Sequence, residues 1–329
     1  MTTRETFKTL KAVKPILSAV FVASLMSISA GAVAQEVKVA VGLSGWTGFA
    51  PLTLAKEAGL FKKHGLDVTL RKIPQKDRHL AIASGDIQCA ATTVETWIAW
   101  NANGVPTVQI FQLDKSFGAD GMVVKNGITK ISDLKGKTVA SSAPGTAPYF
   151  ALAWMLKKNG MSVKDVTVVN LEPQAAANAI IAGTAGVDAA MTYEPYLSAV
   201  RAKPEAGKII ATTLDYPMVM DTFGCTPKFL AENPKAAKSL ADAYFDAVAM
   251  IKAEPKKSFE IMGADVKQSG EAFEKSQAFL RWQDRDANAK FFAGEHAAFS
   301  KEAAELLLEV GIIKALPDMS KLADTRFLK

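Results

Sequence analysis

The sequence predicts an α/β protein of two lobes, followed by a helical carboxyl-terminal tail. From Val37 onward, short apolar runs alternate with amphipathic stretches, which is typical of parallel strands linked by helices. The alternation runs twice, and extended segments near residues 112–120 and 217–224 connect the two runs. No strand is expected after residue 223, and breaks at Pro234 and Pro255 divide the tail into helices. Two lobes joined by two crossings enclose a cleft.

The elements follow from local patterning, with strands at short apolar runs and helices at amphipathic stretches. The expected strands are residues 37–41, 66–70, 87–91, 107–113, 121–124, 138–140, 166–169, 187–191, 209–211 and 218–223. The expected helices before the tail are residues 49–58, 76–84, 94–101, 147–158, 175–181 and 194–203. The first lobe is then formed by residues 35–116 and 217–329, and the second lobe by residues 117–216.

Composition and charge argue against a nucleic-acid-binding protein. The 329 residues are 49% hydrophobic and 22% charged, a balance typical of a soluble globular chain. The net charge of +6 falls to +3 when residues 1–34 are removed, since these hold four basic residues and one acidic residue. The remaining sequence has no basic run suited to binding phosphates. Nucleic acid is therefore not an expected partner.

The first 34 residues have the features of a secretory signal peptide. Four basic residues precede an apolar centre at residues 16–28, and Ala32-Val33-Ala34 fits the small-residue pattern of a cleavage site. The apolar centre is shorter than the roughly 20 residues that a membrane span needs, which favours a cleaved signal over an uncleaved anchor. No cysteine follows it for lipid attachment. We expect a periplasmic protein that begins near Gln35 and does not insert into a membrane.

Neither a metal site nor catalytic chemistry is indicated by the cysteines and histidines. Cys89 and Cys225 lack the spacing of a zinc site. We expect two small buried apolar residues rather than a disulfide, although export would permit pairing. His64, His79 and His296 form no metal-binding pattern and are expected at the surface or at helix caps. No catalytic residue, metal or cofactor is therefore predicted.

Four junctions between predicted elements carry polar or aromatic residues suited to a small ligand. In open α/β sheets, ligands bind beyond the carboxyl ends of the strands, where loops lead into helices. A helix amino terminus offers free N–H groups to an anion, and Ser or Thr adds hydroxyl donors, although these residues are also routine N-caps. The four segments are residues 44–48, 92–97, 141–146 and 192–196.

Carboxylates also fall at predicted strand ends or lobe crossings. In a cleft, one or two of them would select a cationic group, which an aromatic side chain would cover through a cation–π contact. Alternatively, two of them are first-turn acids favoured by the helix dipole, and the other two are turn residues. The carboxylates are Glu95, Asp120, Glu194 and Asp221, and the aromatic candidates are Trp46, Trp97, Phe117 and Tyr193.

Three segments resemble the nitrate-, sulfonate- and taurine-type substrate-binding proteins of ABC importers. They are AKEAGLFKKHGL at residues 55–66, which follows Trp46, ISDLKGKTVA at residues 131–140, and AIIAG at residues 179–183, which leads to Glu194-Pro195. The resemblance covers the chain from Val37 to the carboxyl terminus. It implies the type II fold of periplasmic binding proteins, with two lobes, two hinge crossings and closure on the ligand.

The resemblance also implies a set of ligand-binding residues. Family members commonly bind ligand between the first strand–helix loop, the loop after the third strand, the start of the second-lobe helix and the segment before a Glu-Pro step. The aromatic residue before that step is often Trp in the family and is Tyr193 here, a departure that affects the size of the pocket. Carried over by position, the candidates are Ser44, Gly45, Trp46, Thr47, Thr92, Thr93, Glu95, Asp120, Ser142, Gly145, Thr146, Tyr193 and Glu194.

These observations predict an exported, monomeric binding protein, and not an enzyme, that delivers a small anionic or zwitterionic solute to an ABC permease in the inner membrane. Helix ends would bind the anionic group, and Glu194 or Asp120 the cationic group. A taurine-like aminosulfonate therefore fits better than nitrate. A second hypothesis is a binding protein for a thiamin-pyrimidine precursor, with Trp46 and Tyr193 stacked on the ring. A pyrimidine-synthesising enzyme of the same fold is a less favoured alternative, because the enzymes that the family resembles rely on a cysteine-rich motif, whereas this chain has two isolated cysteines and an export signal. A ligand-sensing partner of a membrane receptor would share all of the features described.

Overall fold

The described part of the chain, residues 36–329 of this computed structural model, contains two β-sheets with helices packed on them. The predicted signal peptide, residues 1–34, lies outside it. The strands are β1 (Val37–Leu43), β2 (Leu66–Lys72), β3 (Cys89–Thr93), β4 (Val108–Ser116), β5 (Asp120–Val124), β6 (Thr138–Ser141), β7 (Thr167–Asn170), β8 (Ala189–Tyr193), β9 (Lys208–Thr212), β10 (Met220–Cys225) and β11 (Leu280–Trp282). The helices are α1 (Ala50–Glu57), α2 (Leu60–Lys63), α3 (Gln75–Ser84), α4 (Val94–Ala102), α5 (Ala147–Lys158), α6 (Pro173–Ile181), α7 (Tyr196–Arg201), α8 (Pro227–Glu232), α9 (Pro234–Ala253), α10 (Pro255–Asp265), α11 (Gly270–Gln277), α12 (Arg285–Lys290) and α13 (His296–Glu309).

Proline and glycine fix where many of these helices begin and end. Proline occupies the first or second position of α1, α5, α6, α8, α9 and α10. It suits this place because the first turn leaves its N–H groups unbonded and proline has none. Gly85 ends α3 with a φ of 82°, a left-handed conformation that glycine adopts without steric cost. Among the helices of the described residues, none has the length and apolar character that crossing a bilayer requires.

Each sheet belongs to one lobe and contains one strand that the chain forms directly after it crosses from the other lobe. The first sheet has the strand order β11-β4-β10-β3-β1-β2, and the second has the order β7-β6-β8-β5-β9. The chain passes to the second sheet between Ser116 and Asp120, and it returns between Thr212 and Met220. The arriving strands, β5 and β10, run antiparallel to both of their neighbours. The predicted α/β fold, with two lobes, two crossings and a helical tail, is confirmed.

One strand was not predicted from the sequence. β11 lies inside the tail and pairs antiparallel with the end of β4, so the expectation that no strand follows residue 223 is wrong. Its three residues are too few to show an alternating pattern, and pairing with β4 defines it more than local propensity does. The loop before β11 contacts the first crossing, where the N–H of Phe117 donates to the carbonyl of Phe279 at 2.7 Å. This hydrogen bond connects the tail to the first crossing between the lobes.

The tail packs on elements of both sheets. Side chains of α1 and α9 share a core with the first sheet. A second core joins Ile98 of α4, Leu152 of α5 and Leu306 of α13, so α13 contacts one helix from each lobe. The lobe limits at residues 116 and 216 stay predictions.

The histidine of the tail is not at the surface. His296 is buried, and its Nε2 lies 3.2 Å from Oε1 of Gln109, so the expectation of a surface or capping residue is wrong for it. It starts the regular part of α13, and tertiary packing against β4 determines its burial. Loss of water lowers its pKa to about 4.

A disulfide joins Cys89 of β3 to Cys225 of β10, so the expectation of two unpaired cysteines is wrong. The two residues lie directly opposite each other in the antiparallel pairing of these strands, and both are fully buried. Opposite positions of paired strands bring side chains close enough to bond. This proximity comes from the topology of the first sheet, and the separation of 136 residues along the chain gives no sign of it.

Replacing both cysteines by alanine should lower the free energy of unfolding by about 2–5 kcal/mol, because the disulfide closes a loop of 136 residues in the unfolded chain. Urea unfolding of the oxidised protein, the reduced protein and the double variant measures the effect. The reduced protein and the double variant should agree. Equal stability of all three forms would contradict a formed disulfide.

Candidate functional site

Several of the predicted junctions meet at a small cavity between the two sheets. Its volume is about 20 Å³, room for a water molecule, so the lobes are closed on each other here. Ser44 and Trp46 approach from the end of β1, Thr93 from the end of β3, and Tyr193 from the end of β8. The lining residues are Ser44, Trp46, Phe49, Gln75, Arg78, Thr93, Asp120, Ala147, Tyr193, Val219 and Asp221.

Five of the thirteen predicted site residues line this cavity, namely Ser44, Trp46, Thr93, Asp120 and Tyr193. The other eight lie outside its lining. Six of them are buried but do not line the cavity, namely Thr47, Thr92, Glu95, Ser142, Thr146 and Glu194. Gly45 and Gly145 line wider grooves outside the cavity. A role in binding stays a prediction for all thirteen.

The most unusual feature of this region is a group of buried carboxylates from both sheets. Glu95, Asp114, Asp120 and Asp221 are each at most 4% exposed. Asp221 of β10 lies directly opposite Asp114 of β4 and Thr93 of β3. Like charges at opposite positions repel, and burial removes the water that would screen them. Within residues 36–329, no group of acids, histidines and cysteines has the arrangement of a metal site.

Burial raises the pKa of all four carboxyls. The loss of water is the largest cause in each, and it brings the pKa of Glu95 to about 8 and that of Asp120 to about 7. The pKa values of Asp114 and Asp221 are also well above their usual range, because the charges of neighbouring acids add to the effect of burial. At neutral pH the group therefore holds protons unless a cation takes their place.

Arg78 is the one cation among the lining residues. Its Nε donates to the carbonyl of Ile73 at 2.9 Å, and its Nη1 donates to the carbonyl of Ala91 at 2.7 Å. Nη2 is buried and has no hydrogen-bond partner within residues 36–329. Burial lowers the pKa of Arg78 to about 10, so the guanidinium stays protonated at neutral pH. One charged donor is thus left for an anionic or carbonyl oxygen.

Two aromatic rings from opposite lobes meet beside the acids. The ring centroids of Trp46 and Tyr193 are 5.4 Å apart at an interplanar angle of 75°, an edge-to-face contact. Nε1 of Trp46 donates to Oδ1 of Asp114 at 3.2 Å, which orients the indole next to the carboxylates. Both rings line the cavity, one from each lobe.

Glu194 is fully buried, but its partners lie within the protein. It accepts a hydrogen bond from Arg201, and its Oε2 accepts one from the N–H of Ser198 at 3.1 Å. Arg201 also donates to the carbonyl of Gly118 in the first crossing at 3.1 Å and lies 4.0 Å above the ring of Phe279 in the tail. The ion pair therefore connects α7, the hinge and the tail. Contact of Glu194 with a ligand cation stays a prediction without a supporting contact.

Three polar residues of this region were not singled out from the sequence. Gln75 and Arg78 belong to a fifth strand–helix junction, from β2 to α3, and the rule that selects the other junctions applies to it equally. Asp114 lies in β4, where glutamines, a lysine and a serine also occur, so its residue type gives no sequence signal and only the structure shows that it is buried. The apolar lining residues Phe49, Ala147 and Val219 offer no chemical signal.

Sequence comparison assigns the chain to a family. A family profile described as NMT1/THI5 like matches residues 46–258, more than half of the chain. The chain belongs to the NMT1/THI5-like family. This NMT1/THI5-like chain is also similar to the taurine-binding periplasmic protein of Escherichia coli (strain K12). The two are 29% identical over 221 residues, which are 65% of this chain and 66% of the relative.

Solved structures share the fold of this NMT1/THI5-like protein. The alkanesulfonate-binding protein SsuA from Xanthomonas axonopodis pv. citri, bound to MOPS, superposes with a TM-score of 0.74 at 17% identity, over 88% of this chain and 100% of that chain. The periplasmic nitrate-binding protein NrtA from Synechocystis PCC 6803 has a TM-score of 0.71 at 20% identity, over 89% and 86% of the two chains. The predicted periplasmic-binding-protein fold and the resemblance to sulfonate-, taurine- and nitrate-type proteins are confirmed. The chain has the architecture of the solute-binding components of ABC importers.

The free energy of unfolding should fall as the pH rises from 5 to 8. The buried carboxyls have ordinary pKa values of about 4 in the unfolded chain, so over this range the folded protein binds more protons than the unfolded one. Stability is then highest below the raised values and is lost as the pH rises through them, by up to about 1.4 kcal/mol per pH unit for each carboxyl. Urea unfolding at four pH values measures the slope.

Asp120→Asn should reduce this slope, because it removes one of the titrating groups. The matched control is Asp246→Asn, since Asp246 pairs with Lys63 at the surface and has a lowered pKa. The control should keep the slope of the unmodified protein. A slope that is the same in both variants would contradict proton binding by the cluster.

Arg201→Ala should lower the free energy of unfolding by about 3 kcal/mol at pH 8, because Glu194 is left buried without its counter-charge. The loss should shrink at pH 5, since burial already raises the pKa of Glu194 and the carboxyl can then take up a proton. Arg281→Ala is the control: this arginine lies over Phe117 at 4.3 Å and bonds backbone carbonyls. Equal losses at both pH values would contradict a stabilising ion pair.

Proposed function

We propose that this protein is the solute-binding component of an ABC importer and that it captures a small zwitterionic solute with a protonated amine between its lobes. The observation that carries the proposal is the charge at the cavity, whose lining includes two buried carboxylates, Asp120 and Asp221, and one guanidinium. Two further buried acids lie next to them: Asp114 is opposite Asp221 in the sheet, and the charge of Asp120 acts on Glu95. Buried charge is costly unless it is paired and hydrogen-bonded. An ammonium group supplies both a positive charge and three N–H donors.

The free nitrogen of Arg78 supports an anionic group at the other end of the solute. A small aminosulfonate or amino acid carries both charges a few bonds apart, which matches an acid group and a guanidinium lining the same cavity. The taurine-binding relative in Escherichia coli agrees with this class. Nitrate or a plain alkanesulfonate brings only negative charge to a region already rich in acids, so we propose that neither is the solute.

Coupling between binding and closure follows from where the acids lie. Glu95, Asp114 and Asp221 belong to elements of the first sheet, whereas Asp120 begins β5 in the second sheet. Closing the lobes brings Asp120 towards the other three acids, and a solute cation removes the resulting repulsion. A ligand that interacts more favourably with the closed form shifts the population towards it. The closed, monomeric, periplasmic protein would then dock on the permease in the inner membrane.

A thiamin-pyrimidine precursor is the second candidate. The aromatic side chains Trp46, Phe49 and Tyr193 all line the cavity and offer faces or edges to a planar ring. The amino group and ring nitrogens of such a pyrimidine would hydrogen-bond to the carboxyls. Nothing in this arrangement calls for a catalytic step, so we propose binding and not synthesis.

Calorimetric titration of the protein from Gln35 onward with taurine, ethanesulfonate, nitrate and an aminopyrimidine tests the proposal. Taurine should bind about a hundredfold more tightly than ethanesulfonate, which lacks only the amine, because the loss leaves a buried carboxylate unpaired. Its affinity should rise from pH 5 to pH 7, since the carboxyls must release protons to pair with the ammonium.

Asp120→Asn should weaken taurine binding at least about tenfold, and the surface control Asp246→Asn should not change it. Ethanesulfonate or nitrate binding as tightly as taurine would overturn the choice of a cationic solute. Binding of the aminopyrimidine alone would establish the second candidate in its place.

A further inference from the structure

The cavity between the sheets and a larger groove on the molecular surface have one lining residue in common, Gln75. The groove has a volume of about 540 Å³ and is lined by residues of both lobes, among them His79, Trp100, Gly145 and Tyr149. Gln75 lines the groove on one side and the cavity on the other. Gln75 therefore lies either on the path of a solute into the cavity or at a contact that closes the two lobes.

The carboxamide of Gln75 bonds to both lobes at once. Its Nε2 donates to Oγ1 of Thr92 at 2.8 Å and to Oγ1 of Thr96 at 2.9 Å, both in the first lobe. Its Oε1 accepts a hydrogen bond from the backbone N–H of Ala147 at 3.2 Å. Ala147 is the first residue of α5 in the second lobe. One neutral side chain thus bridges the closed lobes.

The oxygen of Gln75 occupies a position that favours an anion. α5 has twelve residues, and a helix of this length carries a partial positive charge and free N–H groups at its amino terminus. Pro148 at its second position has no N–H, so Ala147 supplies one of the few donors there. The hydroxyl of Thr146 is engaged with the carbonyl of Ala143 at 2.7 Å. From the sequence, this helix end is expected to bind the anionic group of the ligand, and the structure places an amide oxygen there.

We propose that Gln75 is a specificity-determining residue that substitutes for a ligand anion at the amino terminus of α5. Its amide oxygen completes the contact between the lobes and keeps free anions from the helix end. Arg78 then remains the one group of the cavity that binds an anionic oxygen, and the positive group of the solute decides affinity. The inference rests on the proposed function only in taking this cavity as the solute site.

Inorganic sulfate is the probe, because it fits a helix amino terminus and needs no knowledge of the solute. Gln75→Ala frees the N–H of Ala147, and Gln75→Asn keeps the amide but is one methylene too short to reach it. Both variants should bind sulfate about tenfold more tightly than the unmodified protein, measured by calorimetry. At about 20 mM sulfate their Tm should rise by about 2–4 °C relative to chloride of equal ionic strength.

Gln88→Ala is the matched control. The carboxamide of Gln88 also bridges two groups, the N–H of Ala40 at 2.9 Å and the carbonyl of Gly85 at 3.1 Å, but both lie in the first lobe. This variant should respond to sulfate as the unmodified protein does, which corrects for the general effect of the salt. Small-angle scattering in chloride should show a larger radius of gyration for both Gln75 variants than for the control, since the interlobe bridge is lost.

Equal sulfate affinity in all four proteins would overturn the inference, and so would an unchanged radius of gyration in the Gln75 variants. Should Gln75→Ala fail to fold, Gln75→Asn carries both measurements alone. These readouts use no amine-bearing solute. A failed taurine titration would therefore count against the proposed function and not against this role of Gln75.

Discussion

The crowding of four carboxylates in a place that water barely reaches is the constraint on which the rest of the site depends. An acid that leaves water needs a counter-charge or a proton. Arg78 supplies one positive charge, and burial, which raises the pKa of the carboxyls, favours their protonated forms. Each proton held in this way is a place that a ligand cation can take. Burying these carboxylates without counter-charges destabilises the protein. The same cost gives the group affinity for an ammonium ion.

This constraint also explains why the hinge is so heavily bonded. The two crossings are tied where Oγ of Ser116 lies 2.6 Å from Oγ1 of Thr213, and the N–H of Gly118 donates to the same Thr213 hydroxyl at 2.8 Å. The N–H of Asp120 in turn donates to Ser116 at 3.1 Å. A buried charge needs a fixed position, because a small displacement changes its interaction with neighbouring charges strongly at low dielectric. The crossings therefore hold Asp120 at a defined place, the first residue of β5 in the second sheet.

The two lobes could be predicted from the sequence because each strand and helix has a local pattern. The alternation of apolar runs with amphipathic stretches is enough to predict the strands from β1 to β10, and prolines mark several of the helix starts. β11 and the disulfide could not be predicted in this way, since both depend on pairing between residues far apart in the chain. Glu194 shows the same limit in the site. Its position at a strand end predicts that it faces the cleft, but its side chain pairs with Arg201, seven residues further on, and this contact determines its orientation.

The disulfide has a consequence for the connectivity of the molecule. Every strand of the second sheet, from β5 to β9, lies between Cys89 and Cys225 in the chain. The second lobe thus lies within a covalently closed ring of chain, and the disulfide that closes this ring is in the first sheet. A single peptide bond cut in any of its loops leaves two pieces that do not come apart until a reductant opens the ring. A cut in a loop of the second lobe therefore does not release that lobe from the rest of the molecule as long as the disulfide is intact.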